Sequence, residues 1–97
     1  MRRTWIKIRM NKNLSILNLM ENDLAAALRI ILDQTDQNSY KWQSTKANRE
    51  VMVRELDKSS ATVSRYIDKL REKEILLTFP EYQRGTYLIN RRLINFA

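Results

Sequence analysis

The stretch from Ser59 to Leu77, SSATVSRYIDKLREKEILL, constrains this chain more than any other. Ser59 is suited to cap a helix, because its hydroxyl can accept a backbone N–H that the first helical turn leaves unpaired. Behind it Val63, Ile67 and Leu70 recur at i, i+4 and i+7, a narrow apolar stripe at helical period. Ser60, Ala61, Thr62 and Ser64 keep the front end small, and Arg65, Lys69 and Lys73 follow along one side. A helix that is apolar behind, small in front and cationic along a flank can enter the major groove of DNA. That is the recognition-helix pattern of a helix-turn-helix. A surface helix in a small bundle carries a similar charge run, so the neighbouring segments have to separate the two.

The preceding segment fits the first reading. Asn48 reads as the cap of a helix over Arg49–Leu56, with Glu50 in its first turn and Met52, Val53 and Leu56 facing inward. Asp57 and Lys58 then deliver the chain to Ser59, and about three residues between two short helices is the turn a helix-turn-helix needs. Further upstream, Asn22 or Asp23 caps a longer helix. In it Leu24, Ala27, Leu28, Ile31 and Leu32 form the clearest amphipathic face in the chain. That helix ends near Thr35, and Asp33–Ser39 reads as a polar connection. Tyr40 and Trp42 sit at the start of a short extended segment, Lys41–Ala47, and two rings beside a core helix suit packing better than base stacking.

Downstream, Ile75–Phe79 reads as a strand, Pro80–Gly85 as a loop and Thr86–Ile89 as a returning strand. Pro80 stops the first strand and Gly85 supplies the permissive backbone of a hairpin bend. The fold class expected is mainly α with a small β-hairpin, in the element order of a winged helix-turn-helix. Residues 1–97 would form one domain, with the helix-turn-helix at 48–73 and the wing at 75–89. Arg84, at the hairpin tip, either reaches phosphate or a narrow minor groove or is a solvated loop arginine.

Residues 1–20 form a basic segment, with Arg2, Arg3, Lys7, Arg9 and Lys12 and no acid. Ile6, Ile8 and Met10 alternate as in a strand, whereas Leu14 and Leu17 suit a helix. The reading leans to a helix over about Thr4–Asn18, with a short strand as its competitor. Trp5 suits core packing better than nucleic-acid contact.

Composition narrows the function. Lys and Arg total 18 against 11 acids, a net charge of +7, which fits nucleic acid or an anionic membrane surface better than an acidic partner. There is no Cys and no His, which removes thiol nucleophiles, zinc-thiolate sites, imidazole bases and Ser-His pairs. The single glycine, Gly85, is too few for a P-loop or a dinucleotide fingerprint. The apolar run Leu24–Leu32 is interrupted by Arg29 and is far too short to span a bilayer. Lys7 and Arg9 break up any signal-peptide core. The expectation is a soluble, cytoplasmic protein with no enzymatic activity, no metal and no small-molecule cofactor. Its partner would be double-stranded DNA, and the apolar end at Leu93, Ile94 and Phe96 would pack on the domain's own core or pair two chains as a homodimer.

The run NREVMVRELDKSSATVSRYIDKLREKEIL resembles the helix-turn-helix of the MarR-like winged-helix families. Met52, Val53, Leu56, Val63, Ile67 and Leu70 fall where those families place core residues. Asp57 stands where a turn glycine is usual, and Lys58 replaces an apolar turn residue. Over roughly residues 5–94 the chain also looks like the RepL-type plasmid replication proteins. Trp5 followed by Lys7, the helix LAAALRIILDQ, the segment TKANRE and the closing GTYLINRRLI carry that likeness. Gly85-Thr86-Tyr87-Leu88-Ile89-Asn90 matches a G-x-Y-x-I/L-N-P wing sequence of that family, with Arg91 in place of the proline. The resemblance implies a role in plasmid or phage replication. A MarR-like transcriptional repressor shares every local feature, and a winged helix used only for protein interaction is the alternative from another class.

Overall fold

Leu24, Ala27, Leu28, Ile31 and Leu32 share one face of helix α1 (Asn22–Gln34), and all five are buried. This computed structural model describes residues 6–8 and 22–96. Asn22 and Asp23 both lie within the first turn of α1. At the far end the Thr35 hydroxyl donates to the Ile31 carbonyl at 2.7 Å. Asp36 then closes a tight turn, its carboxylate accepting the Asn38 N–H and the Ser39 hydroxyl, each at 3.0 Å. These donors hold the Asp36 carboxyl below the ordinary aspartate range.

The turn delivers Tyr40 in a left-handed conformation, φ 63°, which costs a non-glycine residue on the order of 1–3 kcal/mol. The contacts that offset this are specific. The Tyr40 amide donates to the Asp36 carbonyl at 2.7 Å. Its hydroxyl donates to Asn95 Oδ1 at 3.1 Å and accepts the Phe96 N–H at 3.0 Å, and the Phe96 ring meets it edge-on at 5.0 Å.

Strand β2 (Lys41–Gln43) stops well short of Ala47, because helix α2 begins at Lys46. Thr45, in extended conformation, caps α2 by accepting the Asn48 N–H at 3.1 Å. The expected cap, Asn48, lies inside the first turn, where its side-chain amide donates to the Gln43 carbonyl at 2.7 Å. Helix α2 runs to Leu56, and Asp57, at the position where a turn glycine is usual, ends it in left-handed backbone at φ 56°. Helix α3 (Ser60–Glu72) is capped by Ser59, as the sequence predicts, and terminates through Glu74 at φ 62°. There the Ile75 N–H donates to the Leu70 carbonyl at 3.0 Å, the bond of a Schellman ending.

Strands β3 (Leu76–Leu77) and β4 (Thr86–Ile89) pair antiparallel, with Leu76 opposite Ile89. The paired part of the hairpin is shorter than expected on the β3 side. Strand β2 adds to the other edge of β4, giving the order β2-β4-β3. Trp42 stands opposite Tyr87, their rings 5.5 Å apart. Trp42 is fully buried and its indole N–H donates to Gln34 Oε1 at 2.9 Å, so a buried donor has its partner. The molecule is thus an α/β unit of three helices and a small three-stranded antiparallel sheet among the described residues.

A second ladder pairs β1 (Ile6–Ile8) with β5 (Ile94–Phe96), antiparallel. The helix expected over Thr4–Asn18 is therefore a strand at residues 6–8. The rest of that segment, with Trp5 and most of the basic residues of 1–20, lies outside the described residues. The strand prevails because β5 offers backbone partners 86 to 90 residues downstream, information no local period contains. At the other end Ile94 is buried in the domain's own core, with Leu93 and Phe96 packed against it. No helix among the described residues is long and apolar enough to cross a membrane.

Candidate nucleic-acid interface

Val63, Tyr66, Ile67 and Leu70 turn one side of α3 into the core. Each residue advances about 100° around a helix, so Ala61, Arg65, Asp68 and Glu72 point directly away, and all four are exposed. Ser60 is exposed beside Ala61. The hydroxyls around them are already engaged. Ser59 accepts the Thr62 N–H at 3.1 Å and donates to Thr62 Oγ1 at 3.0 Å. The Arg65 guanidinium donates to the same Thr62 oxygen at 3.3 Å, so its resting position is over the first turn of α3. Ser64 is half-buried and accepts from the Arg49 guanidinium of α2.

The cationic side does not run straight. A four-residue spacing overshoots one turn by about 40°, so Arg65, Lys69 and Lys73 spiral off the outward line. Lys69 and Lys73 are exposed on the flank towards Tyr66, whose hydroxyl donates to Asp23 at 3.5 Å. Asp23 also pairs with Lys58 at 3.2 Å, tying the turn between α2 and α3 to α1. That hydrogen bond and the carboxylate charge raise Lys58 above the ordinary lysine range. The pair's contribution is therefore present at neutral pH and is lost only as pH rises through that raised value.

The opposite flank faces the hairpin loop. Asp68 and Arg71 border a cleft of about 300 Å³ whose other wall includes Phe79, Tyr82 and Arg84. Arg71 donates to Asp68 at 3.4 Å, both side chains about half exposed, a pair worth on the order of 0–1 kcal/mol. Arg84 thus shares a cleft with Asp68 and Arg71, and the structure does not bring it together with Lys69 and Lys73. The loop makes two tight turns. Gln83–Thr86, closed by the Thr86 N–H donating to the Gln83 carbonyl at 3.0 Å, carries Arg84 at its corner, and Phe79–Tyr82 is closed by the Tyr82 N–H donating to the Phe79 carbonyl at 3.0 Å. The two rings meet edge-on at 5.3 Å, with the Lys41 ammonium 4.7 Å from the Tyr82 ring.

Arg84 immediately precedes the point where the hairpin is anchored. The Gly85 carbonyl accepts both the Ser44 N–H at 2.9 Å and the Ser44 hydroxyl at 3.2 Å. Gly85 has φ 87°, and an added Cβ would stand 3.2 Å from the Ser44 oxygen. Gly85→Ala is therefore expected to destabilise by about 1–2 kcal/mol, the cost of left-handed backbone with a side chain. In a chain this short each kcal/mol lowers Tm by about 4–8 °C. An unchanged Tm in a thermal melt would show that the anchor is not under this constraint.

Two cations that the sequence reading passed over lie at the start of α2, and one of them, Arg49, bonds Ser64 of α3. Lys46 is exposed and Arg49 half-buried in the first turn of α2, which contains no acid. Cations at the positive end of a helix dipole run against the ordinary preference. That signal becomes visible only once Thr45, three residues before the expected cap, is recognised as the start. No group of His, Cys, Asp or Glu among the described residues could hold a metal ion. Set against family models, curated proteins and solved structures, the chain matches none.

Proposed function

We propose that this chain is a winged-helix protein that binds double-stranded DNA sequence-selectively, with α2, the turn and α3 as its helix-turn-helix and the β3–β4 hairpin as its wing. The observation that carries the reading is the outward strip of α3, small at Ser60 and Ala61 and followed by Arg65. Beside α3 lie cations from two other elements, Arg49 of α2, which bonds Ser64, and Arg84 of the hairpin, which shares a cleft with Asp68. The small front lets the helix approach the groove floor and brings the Arg65 guanidinium within reach of base edges. Ser59, Thr62 and Ser64 set the local geometry of that end, while the lysines and remaining arginines hold the backbone. No step of this function needs an enzyme, a cofactor or a metal.

Replication of a plasmid or phage is the biological role we favour, on the strength of the RepL-like segments in the sequence. A transcriptional repressor would use the same contacts, since function lives in the site bound. Selection from random duplexes, followed by mapping of the winner, separates these roles: origin repeats support replication and a divergent promoter supports repression. The DNA reading itself is tested by duplex affinity against salt. The slope of log K against log[salt] should gain about −0.9 for each phosphate neutralised. Affinity that stays constant from low to moderate salt would overturn it.

A further inference from the structure

We propose that Asp68 reads a base, selecting cytosine one step from the guanine met by Arg65; this rests on the duplex-binding reading above. Asp68 stands on the outward line of α3 between Arg65 and Glu72, with its side chain 58% exposed. A carboxylate on a face that meets a polyanion is repelled unless a hydrogen-bond donor receives it. At the major-groove edge only cytosine N4 and adenine N6 are donors; guanine shows two acceptors, and thymine an acceptor and a methyl group. Adenine sets its N7 acceptor next to N6, where it opposes the second carboxylate oxygen. Cytosine has no such neighbour. The guanidinium groups of Arg71, 3.4 Å from Asp68, and of Arg84, across the cleft, offset the repulsion from phosphate. Arg65 and Asp68 are three residues apart, a rise of about 4.5 Å along the helix axis. A base step is about 3.4 Å, so the two side chains reach adjacent bases.

The test is site selection from random duplexes by the wild-type chain, Asp68→Asn and Arg65→Ala. The wild-type chain should select a cytosine adjoining the guanine whose preference disappears in Arg65→Ala. Changing that cytosine to thymine should weaken wild-type binding by about tenfold to a hundredfold. Asp68→Asn is close in size and exposed, so the fold stays intact. Asparagine complements adenine N6 and N7, and the selected base should change from cytosine to adenine. If Asp68→Asn tightens every duplex equally and leaves the preference unchanged, the carboxylate only repels phosphate and the proposal fails while duplex binding stands. A wild-type chain that binds no duplex overturns both.

Discussion

Val63→Asp is expected to leave the chain unfolded, with the helical signal in circular dichroism lost and not merely DNA binding. Val63 is completely buried and belongs to the cluster in which α3 meets the rest of the core. The wild-type side chain contributes about 1.5–3 kcal/mol through burial. The substitution removes that and places an unpaired carboxylate out of water, at several kcal/mol after relaxation. A domain of this size has a net stability on the order of 5–15 kcal/mol, so one such change accounts for most of it. A variant that keeps its helical spectrum and a cooperative melt would mean that α3 packs by another face, and the outward strip with Arg65 would fall with it.

Arg65→Ala is expected to flatten sequence preference while leaving non-specific affinity largely in place. Arg65 lies about one and a half turns into α3 from the Ser59 cap, directly opposite the core-facing residues. The hydrogen bond to Thr62 holds its guanidinium over the small front of the helix. A bidentate pair to guanine O6 and N7 is worth about 1–3 kcal/mol of discrimination. Its loss should weaken a selected duplex by that amount and a scrambled duplex by much less. Lys69→Ala, on the flank, should instead weaken all sequences alike and reduce the salt slope by roughly one. Equal losses from Arg65→Ala on both duplexes would make Arg65 a phosphate contact.

The local chemistry of α3 was fully legible. A serine cap and an apolar stripe at helical period act within a few residues of one another, and each occurs where its chemistry placed it. The face of α1, the returning strand Thr86–Ile89 and the burial of Trp42 and Tyr40 were legible for the same reason. The start of α2 was misplaced because Thr45 and Asn48 are both good caps. The choice between them depended on whether Asn48 was needed elsewhere, and it bonds the Gln43 carbonyl.

That α1, α2, the turn and α3 exist, and which side of α3 is buried, the sequence by itself determined, since periodicity and capping are local properties. Which charged groups share a surface was decided only by the tertiary structure. Arg65, Lys69 and Lys73 diverge by about 40° per step from helix period alone, but what stands against either flank of α3 does not follow from that period. Arg49 meets Ser64 across 15 positions, and Arg84 comes to Asp68 and Arg71 because Ser44 holds the Gly85 carbonyl 41 residues away. The strand at 6–8 depended on β5 in the same way. Such pairings are contacts between distant segments, settled by how the core closes, and no short window of sequence contains them.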